Sequence, residues 1–232
     1  MPPAIPRFVL FGPAHLGALA ATAIVSFASA RFARAHREGA AAIALRYVLA
    51  GGLVGLVGFE VTMAVRGGWA KPEYLLPLHL CDVTMLLAIY TLLTLHRRAA
   101  ELLYFWAGAA TTVAMLTPDV TLGFPRWEFL VFFGLHGLVV VSALTLTFGF
   151  GLAPARGAPR RALAATLVYA VFVGAVDAVW AMNFMFLRAK PDTPTLLDWM
   201  GPWPVYILVG AAMALGLFQL LALPFRRSGA SS

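Results

Sequence analysis

The segment PLHLCD, which ends at Asp82, places a histidine, a cysteine and a carboxylate within four residues. His79 and Asp82 are three positions apart and share a helix face, so Asp82 could hold the imidazole in one tautomer. His79 and Cys81 lie about 200° apart around a regular helix and cannot pair directly unless Pro77 distorts the first turn. A nucleophilic Cys81 needs an imidazole to form its thiolate. We therefore predict His136, from another span, as the base, with His79 as the alternative.

Further polar residues interrupt the long apolar runs of the sequence. A charged side chain at the centre of a bilayer costs roughly 2.5–3.5 kcal/mol on insertion scales, so each one needs a partner or a function. Taken singly, such a residue usually bonds a neighbouring helix. Several of them fall roughly 5–15 Å below the same membrane surface, and this convergence predicts a polar pocket. The predicted substrate-binding residues are His15, Glu60, Asp177, Asn183, Trp203 and Tyr206.

A metal site is the competing chemistry for the same residues. Imidazole, thiolate and carboxylate groups are the usual ligands of zinc and iron. The chain has neither HxxxH nor CxxC spacing, so we predict no metal and no cofactor. Cys81 is the only cysteine, which excludes a disulfide within the chain.

The composition indicates that these residues lie in a membrane protein. Of the 232 residues, 61% are hydrophobic and 12% are charged, whereas a soluble domain is nearer half apolar and a quarter charged. The excess of apolar residues must face lipid or other spans. The net charge of +7 does not indicate nucleic acid, because the basic residues cluster between apolar runs, where membrane topology signals are expected.

The apolar runs predict an all-α bundle of seven transmembrane helices. Runs of about 20 apolar residues are read as helices, because lipid cannot satisfy an exposed backbone. We expect one membrane domain over residues 1–225 and a short disordered cytoplasmic tail over residues 226–232. The predicted spans are Phe8–Ser29, Ile43–Val65, Leu75–Leu95, Glu101–Thr117, Phe129–Phe150, Ala162–Leu187 and Val205–Leu223.

The distribution of basic residues predicts the orientation. Cytoplasmic loops carry the excess of arginine and lysine. Of the 17 basic residues, 11 fall on one side of the predicted bundle: Arg31, Arg34, Arg37, Arg46, Arg97, Arg98, Arg156, Arg160, Arg161, Arg226 and Arg227. The N-terminus is then outside and the C-terminus inside, in the inner membrane of a bacterium. The polar pocket would lie in the outer leaflet, where its partners are membrane lipids.

Four motifs carry a resemblance to a known family: PLHLCD, NFMFL at Asn183–Leu187, Lys190-Pro191 and GPWP at Gly201–Pro204. In order and spacing, over Glu60 to Tyr206, the chain resembles the bacterial YwaF-like integral membrane proteins. That family is in turn similar to a eukaryotic multispan family that includes a cysteine-dependent acyltransferase remodelling ether phospholipids. The resemblance implies that Cys81 is the acyl-accepting nucleophile, and it implies no role for other residues.

Two functions follow from this pocket. The first is acyl transfer between phospholipids through a thioester on Cys81, with Asp82 or Glu60 orienting the basic imidazole. In this mechanism Asn183 donates to the oxyanion, as amide groups do in such sites. The alternative is a seven-span transporter or receptor that binds a small ligand or lipid in the same pocket without covalent chemistry, because buried His, Asp and Glu residues also serve transport.

Overall fold

The computed structural model describes residues 6–191 and 196–226, which fold into helices joined by short loops. The predicted tail lies outside these residues except for Arg226. One isolated antiparallel bridge, between Arg7 and Leu122, joins two loops. The main helices are α1 (Pro13–Ala35), α2 (Ala40–Arg66), α3 (Leu80–Thr94), α4 (Arg97–Leu116), α5 (Trp127–Gly149), α6 (Ala158–Trp180) and α7 (Val205–Phe225).

Length and hydropathy separate six of these helices from the seventh. Six are long and apolar enough to cross a membrane, with mean hydropathies from 1.3 to 2.2. α3 is apolar but has only 15 residues, about 22 Å of helix against a hydrocarbon core of about 30 Å. The predicted all-helical membrane fold is confirmed at this level.

Local backbone features determine where several helices begin and end. α3 ends where Leu95 takes a left-handed conformation with φ 55°. His96 then caps α4, because its Nδ1 accepts the backbone N–H of Ala99 at 3.3 Å. α6 ends at Trp180, since Ala181 is left-handed, whereas the sequence predicted a helix continuing to Leu187.

Shorter elements complete the fold. Both α4 and α5 contain a stretch of π-helix, over Ala107–Thr111 and Thr145–Gly149. A single helical turn, Pro72–Leu75, precedes α3, and short 3₁₀ turns occupy Phe184–Phe186 and Leu196–Met200.

α5 lies at the centre and contacts α1, α2, α3 and α4. Its apolar side chains share a buried core with α2 and α3, which includes Leu53, Ala88 and Leu135. α1 approaches α5 closely at Gly149, where an added Cβ would meet the Ala33 Cβ at 2.7 Å. Small residues at such contacts let membrane helices pack backbone to backbone.

The loops form two chemically different ends of the bundle. We call the end with the clustered arginines the basic end, formed by the loops at 36–39, 95–96 and 150–157. We call the opposite end the aromatic end, formed by 67–79, 117–126, 181–191 and 196–204.

Glu101 joins three segments at the basic end. Its buried carboxylate accepts hydrogen bonds from Arg98 at 3.0 Å, from Arg161 at 2.8 Å and from the backbone N–H of Ala155 at 3.1 Å. The sequence interpretation treated Glu101 only as the start of a span and missed this cluster. The glutamate holds the start of α6 and the loop before it against α4.

Candidate functional site

Two interrupted helices meet at the aromatic end, and we call this meeting point the junction. α3 begins only at Leu80, and α6 already ends at Trp180. The His79 ring, just before α3, contacts Phe184 edge-on at 5.2 Å and Phe186 at 6.1 Å between centroids. Irregular backbone at membrane depth is stable only where protein or a water-filled cavity shields it. The segment after α6 supplies that shield for the segment before α3.

The chain turns back after α6, and we call residues 181–189 the return segment. Asp177 fixes the start of this segment. It is fully buried, and its Oδ1 accepts the backbone N–H of Phe184 at 2.9 Å. Its other carboxylate oxygen has no hydrogen-bond partner among the described residues. His79 interacts electrostatically with the same carboxylate. A buried acceptor without a partner is costly in an apolar surrounding, so Asp177 has capacity for a hydrogen-bond donor.

Residues of the last loop and α7 hold this return segment from the other side. The Tyr206 hydroxyl, buried in α7, donates to the carbonyl of Phe186 at 2.6 Å. The indole N–H of Trp203 donates to the carbonyl of Leu187 at 3.0 Å. Both predicted substrate-binding residues therefore lie at the junction, where they fix the backbone of the return segment.

Asn183 stabilises the same segment from within. Its Oδ1 accepts the backbone N–H groups of Arg188 at 3.0 Å and Ala189 at 3.1 Å, and its Nδ2 donates to the carbonyl of Ala189 at 2.9 Å. One amide hydrogen is left for a ligand. The proposed donation to an oxyanion has this hydrogen as its source and stays a prediction.

Cys81 lies in the first turn of α3, half-buried and with a free thiol. Asp82 caps this turn, because its Oδ2 accepts the backbone N–H of His79 at 3.2 Å. The acid thus bonds the backbone of His79 and not its imidazole, as a glutamate does in a capping box. Glu60, exposed on α2, lies close enough to Asp82 for the two carboxylates to repel each other.

His15 lies in an aromatic pocket between α1, α4 and α5, away from the junction. Its Nδ1 accepts the backbone N–H of Phe11 at 2.9 Å, and its Nε2 donates to the carbonyl of Met115 at 2.8 Å. The rings of Phe8 and Phe133 surround it. Both ring nitrogens are used, so this geometry gives His15 a structural role.

His136 lies on α5, and its side-chain hydrogen bond stays within that helix. Its Nδ1 is 2.8 Å from the carbonyl of Phe132, and its ring stacks on that phenylalanine at 4.2 Å. A carbonyl only accepts, so Nδ1 carries the proton and Nε2 keeps a lone pair. No hydrogen bond joins His136 to Cys81 in the described part of the chain.

Comparison with known proteins then gives the family. The model of the TMEM164 family, a family of membrane proteins, matches residues 10–222. The chain belongs to the TMEM164 family. Searches against curated proteins and against solved structures gave no match. Membership of a membrane-protein family is thus confirmed over most of the chain, while the match gives no support for the YwaF-like name or for similarity to an acyltransferase.

The junction of this TMEM164 family member also contains a residue that the sequence interpretation missed. Tyr169, on α6, donates its hydroxyl to the carbonyl of Leu78 at 2.9 Å and so ties α6 to the segment before α3. Its polar hydroxyl in the middle of an apolar run was the available signal. Among residues 6–191 and 196–226, no three His, Cys, Asp or Glu side chains group closely enough to hold a metal ion.

Proposed function

We propose that this TMEM164 family protein transfers acyl chains between phospholipids through a thioester on Cys81. The observation that carries the proposal is the position of a free, half-buried thiol in the first turn of α3, beside the junction. A thiol in apolar surroundings is unreactive on its own, so the mechanism requires an imidazole base that takes its proton. The polar groups nearby, His79 and Asp177, belong to the chain segments that shape the junction.

The reaction consists of two balanced steps. The Cys81 sulfur attacks the ester carbonyl of a donor phospholipid, the sulfur–carbon bond forms, and the ester bond breaks. The donor leaves as a lysophospholipid whose hydroxyl receives the proton of the thiol. A hydroxyl of a second lysophospholipid then attacks the thioester, and its proton returns to the Cys81 sulfur. No oxidant or metal is needed, as in other covalent acyl transfers.

The tautomers favour different roles for the two histidines. Nε2 of His136 has a lone pair, which suits a general base acting directly or through one water. Nδ1 of His79 faces the backbone N–H of Met185 at 3.5 Å, so Nε2 of His79 carries the proton. His79 therefore suits the donor that protonates the leaving oxygen. Asp82 acts indirectly, because it fixes the backbone of His79.

The proposed site requires a matching topology. In this topology all seven helices cross the membrane, the N-terminus is outside, the C-terminus is inside, and the membrane is the bacterial inner membrane. The support is the collection of arginines at the basic end, which the positive-inside rule places in the cytoplasm. α3 completes its crossing through the shielded segment that precedes it. The junction then lies in the outer leaflet, at the depth of phospholipid ester groups.

One observation favours a second function, the binding or transport of a ligand without covalent chemistry. Transporters often place their sites where interrupted helices meet near buried charge. The junction has this form, and the unpartnered Oδ2 of Asp177 could accept a donor from a ligand. In that case Cys81 would only fill space.

An acyl-exchange assay separates the two functions. The purified protein in liposomes receives a phospholipid with a labelled acyl chain and an unlabelled lysophospholipid, and label in the second lipid is measured. The transferase proposal expects exchange that is lost in Cys81→Ser and reduced at least 100-fold in His136→Gln. His36→Gln, an exposed histidine at the basic end, is the matched control. Equal exchange in wild type and Cys81→Ser would exclude the thioester mechanism.

A further inference from the structure

A long apolar groove runs along α1, from Leu19 to Ala35 at the basic end. It has a volume of about 930 Å³ and lies between α1, α4 and α5. From α1 its walls include Leu19, Ala23 and Ala30, and from α5 they include Val140 and Leu144. The volume falls within the range of ligand sites, about 300–1,000 Å³. The groove is separate from the junction at the aromatic end.

Two arginines lie at the basic end of this groove. Arg31 and Arg34 both line it and are both exposed. Neither has an acidic partner or a hydrogen bond from its guanidinium in the described chain, and the Arg31 guanidinium lies over the ring of Phe27, at 5.7 Å. Arg161, by contrast, is paired with Glu101. The groove is therefore apolar along most of its length, and at its basic end it has two guanidinium groups that no described carboxylate neutralises.

A buried hydroxyl lies between the arginines and the apolar part. Ser26 lines the groove, is 3% exposed, and its Oγ has no hydrogen-bond partner among the described residues. An unpaired polar group in an apolar medium is costly, so it favours a ligand that supplies a partner. Ser26 is five residues from Arg31, about 7.5 Å along the helix.

We infer that this groove binds one anionic glycerophospholipid from the leaflet at the basic end. Arg31 and Arg34 hold the phosphate, Ser26 donates to an ester carbonyl, and an acyl chain lies along α1 towards Leu19. Leu19 to Arg31 spans about 18 Å of helix, close to half of the hydrocarbon core of about 30 Å. The ligand is thus matched in charge, polarity and length to a single leaflet.

A lipid fits this groove better than a second copy of the chain does. Two copies that packed together through this face, related by a twofold axis along the membrane normal, would bring four arginines together at one depth. Like charges so arranged repel each other, whereas a phosphate neutralises them. This inference does not depend on Cys81 or on acyl transfer.

Native mass spectrometry of the full, delipidated chain tests the inference with added phosphatidylglycerol and phosphatidylcholine. The wild type is expected to bind one phosphatidylglycerol more tightly than phosphatidylcholine. The double variant Arg31→Gln/Arg34→Gln is expected to bind phosphatidylglycerol about 30-fold more weakly, since each arginine near a lipid headgroup contributes roughly 1 kcal/mol. Arg97→Gln/Arg160→Gln, two exposed arginines at the basic end outside this groove, is the matched control.

A second pair of variants tests where the acyl chain lies. Ala23→Phe fills the groove and is expected to weaken binding of both lipids, whereas Ala28→Phe, on the exposed face of α1, leaves binding unchanged. Equal binding of the two lipids to the wild type would overturn the inference. So would a double arginine variant or an Ala23→Phe variant that retains phosphatidylglycerol like the wild type. A stable dimer that dissociates in Ala23→Phe, without selective lipid binding, would assign the groove to a second copy instead.

Discussion

Replacing Glu101 by glutamine tests the cluster that organises the basic end. The carboxylate, whose side chain is 10% exposed, accepts one backbone N–H and two guanidinium groups. Arg98 and Arg161 are 62% and 41% exposed, so each ion pair is screened and contributes about 0.5 kcal/mol. The charge-assisted bond to the N–H of Ala155 contributes about 1.5 kcal/mol. Glutamine can keep part of one bond, so we expect a loss of about 2 kcal/mol.

For a chain of this length, that loss corresponds to a decrease in Tm of roughly 4–8 °C. The assay heats the protein in detergent and measures the fraction that stays monodisperse on size exclusion. Glu128→Gln is the matched control, because Glu128 pairs with Arg126 at 3.4 Å near the surface, and such pairs contribute little. If Glu101→Gln lowers Tm no more than Glu128→Gln does, the role given to this cluster is wrong.

Three further predictions concern hydrogen bonds of the junction and of the aromatic pocket, and each is measured by the same heating assay. Tyr206→Phe leaves the carbonyl of Phe186 without its donor and should lower Tm by about 2–4 °C. Asp177→Ala leaves the buried N–H of Phe184 unpaired and should cost about 2 kcal/mol, while Asp177→Asn keeps an acceptor and should cost less than half of that. His15→Phe should cost about 2 kcal/mol because both ring bonds are lost, with acyl exchange per folded protein unchanged. Equal stability of the two Asp177 variants, or exchange lost in His15→Phe, would contradict these assignments.

Hydropathy alone predicts most of the fold, because an apolar run of sufficient length has few alternatives to a helix in lipid. It does not predict where a helix is interrupted by tertiary contacts. The predicted sixth span continued to Leu187, but the helix ends at Trp180. The chain then turns back, and the carboxylate of Asp177 accepts the backbone N–H of Phe184. The predicted third span began at Leu75, whereas α3 begins at Leu80 and the segment before it is held by the hydrogen bond from Tyr169 of α6 to the carbonyl of Leu78.

The sequence predicts how deep a polar residue lies in the bundle better than it predicts which side of its helix the side chain occupies. His79, Asp177 and Tyr206 share both depth and direction, and the structure brings them together at the junction. His15 was assigned to the same layer by depth, yet its ring bonds Phe11 and Met115 in the aromatic pocket instead of a residue of the junction. A helix that is apolar on all sides carries no pattern from which the orientation of one polar residue can be deduced.

The thioester on Cys81 can be tested without knowledge of the physiological substrate. The purified chain is incubated with a phospholipid that carries a labelled acyl chain, and its intact mass is recorded before and after treatment with hydroxylamine. Cys81 is the only cysteine, so Cys81→Ser removes every thiol from the chain. Acyl transfer predicts a mass increase of one acyl group in the wild type that hydroxylamine removes and that Cys81→Ser lacks. A wild-type chain that exchanges acyl groups but never carries the label, or a Cys81→Ser chain that exchanges them equally well, would contradict the mechanism.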